Sequence, residues 1–322
     1  MRIITIALAI LGLAACSGAS SPSLPQARSV PSSLRHISHA TTKDGIYVSQ
    51  FDASSVYGYA GTNQRNAPPI CGETSGDFVA DVATDRNGDL IVPSQQGETI
   101  NIYSGPRMCG PTAATLNDPY GLPVDVASAN ALTEKIAVAN IEDDGPISDP
   151  PPGSITVCTI AGGCTENLTN PQIYRIAGVA LDKRGDCWAS AIDTSSKPTL
   201  IYFAGCSGKG RSATGFQNSS YGGLELDKNG NLLALDSTAA RLFVYSGCRP
   251  ACKLVAGPFT LQGLSLYGKL DEKGRTFAAA DYQKGQIDLY TYSTTALTYE
   301  FSFSQDLSQG ASVEGVAFSP GR

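Results

Sequence analysis

The chain repeats itself at a period of about 45 residues, and this repeat limits its fold more than any other feature. The segments VADVATDRNGDLIV (79–92), PVDVASANALTEKIAVAN (123–140), IAGVALDKRGDCWAS (176–190), YGGLELDKNGNLLALD (221–236) and LDEKGRTFAAAD (270–281) each predict two alternating strands around a tight turn. Four turns read Asn87-Gly88, Arg184-Gly185, Asn229-Gly230 and Lys273-Gly274, where glycine supplies the positive φ that short hairpins need. A third strand follows each time: INIYSG (100–105), SITVCT (154–159), LIYFAG (200–205), LFVYSG (242–247) and IDLYTY (287–292). A fourth completes the unit, as in KLVAG (253–257) and TYEFSF (298–303). Four antiparallel strands per repeat predict one propeller blade.

The two ends of the repeat region decide the number of blades. DGIYVSQFD (44–52), VYGYAG (56–61) and the segment near Cys71 supply strands two to four of a blade that lacks its first strand. VEGVAFSP (313–320) supplies that first strand. Joining them gives an all-β, six-bladed propeller spanning 43–322, in which the C-terminal strand closes the ring and leaves no edge unpaired at the seam.

GVALDKRGDCWASAIDTSSKPTLIYFAG and GLELDKNGNLLALDSTAARLFVYSG resemble NHL-type repeats, with Asp227, Gly230, Asn231, Asp236 and Arg241 in the pattern positions. The resemblance implies the fold and leaves the activity open, because propellers serve many unrelated functions.

The first residues, MRIITIALAILGLAAC, join one arginine to an apolar run too short to span a bilayer, which takes about 20 residues. Leu13-Ala14-Ala15-Cys16 resembles the lipobox of bacterial lipoproteins. That resemblance implies a signal peptide (1–15), lipid on Cys16 and a chain held at the membrane by its acyl groups. Ser17, in place of an aspartate, implies the outer membrane of a bacterial cell envelope. Residues 16–42 are rich in Ser, Pro and Ala and predict a flexible tether. The protein's two histidines, His36 and His39, both lie there.

Composition excludes some classes of function. A net charge of −6 argues against nucleic-acid binding, which draws most of its affinity from lysine and arginine. With no histidine in the propeller, Ser-His chemistry is excluded as well. Eight cysteines besides Cys16 suit disulfides in an oxidising compartment. Cys158–Cys164 and Cys248–Cys252 flank tight turns, Cys187 and Cys206 fall on the same face, and Cys71 and Cys109 then remain for each other.

Blade connectivity sorts the loops into two faces. The glycine hairpins and cysteine-bearing turns share one, where the tether enters at Asp44. The other carries the acidic loop 141–153, with Glu142, Asp143, Asp144 and Asp149, which reads as the partner-binding element. Around the channel, Asp81, Asp125 and Glu314 are candidate ligands for a hard cation such as Ca²⁺. Asp52, Asp193, Asp236 and Asp281, at the ends of second strands, read instead as acceptors of backbone N–H groups in their own turns. The lone Trp188 reads as core. The preferred function is a non-catalytic lipoprotein whose propeller binds a protein or glycan. The alternative is a Ca²⁺-dependent lactonase or esterase resembling the gluconolactonase propellers, in which the metal would polarise an ester carbonyl.

Overall fold

The computed structural model describes residues 45–59, 71–74, 78–85, 87–104, 112–128, 135–141, 152–304 and 312–319, of which 71–74 are described in backbone only. The structure is a six-bladed propeller of four-stranded antiparallel blades. The innermost strands are Ala83–Thr84, Pro123–Ser128, Arg175–Leu181, Leu224–Leu226 and Ser265–Leu270 in blades 2 to 6, and Val313–Ser319 in blade 1. Val313–Ser319 pairs antiparallel with Gly45–Gln50, from Gly45 opposite Ser319 to Gln50 opposite Val313, and completes the blade of Ser55–Tyr59 and Cys71–Thr74. The predicted closure is the one observed.

The inner strands of each blade bury both faces and read as near-continuous apolar runs, while outermost strands such as Thr112–Asn117 and Lys253–Thr260 are largely exposed or half-buried. The buried side chains form one cluster between each pair of neighbouring blades. Trp188 lies between blades 4 and 5, packed with Tyr202, Phe243 and Tyr245, and donates its indole N–H to the Cys248 carbonyl at 2.6 Å. Near the axis the blades converge, and only glycine fits at the closest approaches. A Cβ on Gly178 would stand 2.2 Å from the Gly222 carbonyl oxygen of the next blade, and one on Gly315 would stand 2.5 Å from Asp81 Cα.

The glycine hairpins repeat one device. Asp85, Asp182, Asp227 and Asp271 each accept two backbone N–H bonds across their turns, as in Asn229 and Asn231 donating to Asp227 Oδ1 at 2.8 and 2.9 Å. Asp193 and Asp281 do the same in the turns after the second strands. Asp236 departs from this pattern, taking the backbone N–H and hydroxyl of Ser219. Asp52 accepts from the Ser312 N–H across the closing seam.

Disulfides join Cys158 to Cys164 and Cys248 to Cys252 across their turns, and Cys187 to Cys206 on the face they were expected to share. Cys109 lies outside the described residues, and with it the expected Cys71–Cys109 pair.

Candidate functional site: an axial cavity floored by a buried lysine

Converging innermost strands leave an axial cavity of about 650 Å³, open among the glycine hairpins. Its walls come from one register of the repeat. The residue two places before each turn aspartate, or its equivalent, is Ala83, Val126, Ala180 and Ala317 in blades 2, 3, 4 and 1. In blades 5 and 6 that residue is Glu225 and Lys269. Small side chains therefore leave space on one side, and a facing pair of charges fills the other.

Lys269 reaches across the axis from blade 6. Its ammonium stands 2.8 Å from Asp81 Oδ2 in blade 2 and 3.3 Å from Asp125 Oδ1 in blade 3. The carboxylates are tied in turn to neighbouring backbone. Asp125 Oδ2 accepts from Val179 N of blade 4 at 2.7 Å, and Asp81 Oδ1 accepts from Val316 N of blade 1 at 3.3 Å. A register shift between Pro123 and Asp125 marks a bulge there, a device that re-aims a side chain. One ammonium thus links five of the six blades through two aspartates.

Burial works against the charge on Lys269, but Asp125, Asp81 and Glu225 outweigh it and hold its pKa above the ordinary lysine value. Burial pushes Asp125 well above the usual carboxylate range, against the pull of Lys269, and the neighbouring Asp81 adds to the rise. Glu225 is raised by burial too, with Lys269 opposing.

The expected cation ligands are arranged differently from an open ring at the channel mouth. Asp81 and Asp125 are fully buried and share Lys269, so an ammonium already occupies the position between them. Glu314 lies apart, its carboxylate accepting the Ser312 hydroxyl at 3.1 Å. Among the described residues, no three His, Cys, Asp or Glu side chains form a group able to hold a metal ion. Glu142, Asp143, Asp144 and Asp149 lie outside the described residues, as do Cys16, His36 and His39.

Burial pushes Glu314 up to about 7, and Asp118, which accepts the Thr156 hydroxyl at 2.8 Å, up to about 6. A carboxyl whose pKa is raised in the folded state stabilises the fold below its unfolded pKa, and that contribution is lost as pH rises through the folded value. Glu314→Gln, which keeps the acceptor for Ser312, is therefore expected to stabilise the protein at pH 8 by about 2–3 kcal/mol. The gain should shrink toward zero near pH 4.5, as denaturant melts across that range will report.

The rim is held by a clamp between blades 4 and 5. The disulfide-closed turn Cys248–Cys252 presents Arg249, whose guanidinium lies 5.0 Å from the Trp188 ring centroid. It pairs with Asp182 and, at 3.1 Å, with Asp186. Arg249 lines the cavity mouth together with Lys183, Arg184 and Lys228. The chain enters the propeller on this same face, since Gly45 pairs with Ser319 beside the cavity-lining Phe318.

No protein-family model matches the chain, and no curated protein does. Solved structures do. A chain from the nidogen/laminin complex is 14% identical with a TM-score of 0.61, over 87% of this chain and 99% of that one. A functionally unknown protein from Desulfotomaculum acetoxidans is 14% identical with a TM-score of 0.53, over 81% and 79%. A protein of unknown function from Bacteroides caccae is 10% identical with a TM-score of 0.56, over 86% and 98%. At these identities the similarity is one of fold.

Proposed function

We propose that this chain is a bacterial envelope lipoprotein, acylated at Cys16 and held at the outer membrane, whose NHL-like propeller binds a protein or glycan partner without chemical turnover. The observation that carries the reading is the axial cavity. Its volume is that of a small-ligand site, and its lining sets charged residues among apolar wall residues. Asp81 and Asp125, the carboxylates nearest its floor, are held by Lys269 and by backbone N–H groups, which leaves neither free to serve as a general base. The cavity accordingly has the parts for holding a ligand. The nidogen/laminin match gives the reading collateral support, since that fold occurs there within a protein complex.

The test compares the full chain with Ala127→Trp, a half-buried wall position that also packs against the blade 3–4 core, once thermal melts show that the variant keeps its fold. On immobilised glycans and peptides, the full chain is expected to bind at least one class and Ala127→Trp to lose that binding. Neither protein should hydrolyse lactones or aryl esters, with or without added Ca²⁺. Metal-dependent turnover would overturn the reading in favour of the hydrolase. So would ligand binding indifferent to the tryptophan.

A further inference from the structure

The charges of the cavity are sorted along its axis. At the floor, Asp81, Asp125 and Glu225 face a single ammonium, Lys269, so formal negative charge is in excess there. Glu225 uses one oxygen to accept the Leu226 N–H at 2.9 Å and lines the cavity beside Lys269. At the mouth the commitments are reversed. The turn carboxylates Asp85, Asp182, Asp227 and Asp271 are spent on backbone N–H groups, Asp182 also pairs with Arg249, and Glu272 lines the mouth on the blade 6 side. Lys183, Arg184 and Lys228 line the same mouth and make no ion pair with another described residue. The floor therefore offers a carboxylate to a cation, and the blade 4–5 side of the rim offers cations to an anion.

Resting on the proposal that the axial cavity is the binding site, we infer that its ligand is a zwitterion, an amino acid or short peptide. The ammonium enters first, toward Glu225, and the carboxylate stays at the rim against Lys183, Arg184 and Lys228. Each end then gains a charge-assisted hydrogen bond in a site partly shielded from water. A neutral sugar would leave both sets of charges unanswered. A simple anion would meet the excess carboxylate at the floor, and a simple cation would meet the lysines at the entrance. Discrimination comes as much from these mismatches as from the favourable contacts.

Calorimetric titration of the full chain with trialanine, N-acetyl-trialanine and trialanine amide at low salt tests the inference. Trialanine should bind, and blocking either end should weaken binding at least tenfold. Glu225→Gln should abolish the penalty for acetylation while keeping the penalty for amidation. Lys183→Glu with Lys228→Glu, on the surface and away from the packed core, should do the reverse. Equal affinity for the three peptides, or binding by none of them, would overturn the inference. In the second case, maltotriose and tri-galacturonate separate the two levels of the argument. A sugar that binds and is displaced by Ala127→Trp would preserve the cavity as the site and remove the zwitterion, and silence from every probe would remove both.

Discussion

Replacing Lys269 with methionine is expected to destabilise the protein by about 3–5 kcal/mol, the cost of leaving buried charges without their partner. The methionine fills much of the same space, so the loss reports the ammonium rather than a void. Asp81 and Asp125, both fully buried, would be left with backbone N–H donors alone. Asp125, which burial already pushes up against the pull of Lys269, would take up a proton, so the variant should lose most stability at high pH and recover part of it on acidification. The combined change Lys269→Met, Asp81→Asn and Asp125→Asn removes the charges together and should regain a substantial share of the loss. Urea denaturation of the two variants at pH 5 and pH 8 decides the matter. If Lys269→Met unfolds at the wild-type midpoint at both, the axial ion pairs do not hold the blades together.

A larger effect is expected from stopping the chain after Ala311. This removes Val313, Val316 and Phe318, which are buried between blades 6 and 1, and strips Gly45–Gln50 of its inner partner along its whole length. It also removes the Val316 N–H that Asp81 accepts. The truncated chain should lose cooperative unfolding and accumulate as aggregate, because the bared edge is a template for pairing with other chains. A circular permutant that begins at Ser312 and passes from Ser319 through a two-residue turn into Gly45 keeps every one of these contacts. The register places those two ends opposite each other, as a hairpin requires. The permutant should fold and melt cooperatively. If the truncated chain does so too, the seam contributes little to the fold.

The architecture was legible because its signals are local and repeated. Alternating strands, Asp-x-x-Gly turns and the complementary fragments at 44–61 and 313–320 fix blade number and closure without long-range information. The three described disulfides followed from turn position in the same way. The axial site was harder to read. Asp81 and Asp125 stood out as carboxylates, but nothing near either in the chain points to Lys269, which comes from the far side of the ring. A signal did exist. Aligned on the turn aspartate, GVALD, GLELD and YGKLD differ at their third position, where Glu225 and Lys269 replace the small residue of the other blades. Charge at a position that every other blade keeps apolar marks where the repeat has been put to use. The spacing glycines, Gly178 and Gly315, were visible in the same alignment, but their role depends on the neighbouring blade and so needed the fold.

The seam also sets the order in which the molecule can be made. Gly45–Gln50 is synthesised ahead of five whole blades, and its inner partner comes only after the last of them. As the chain is made amino end first, the ring must stay ajar until Val313–Ser319 has followed. For that interval the waiting strand is the site at which two nascent copies could exchange segments, and it is where a chaperone would have most to protect.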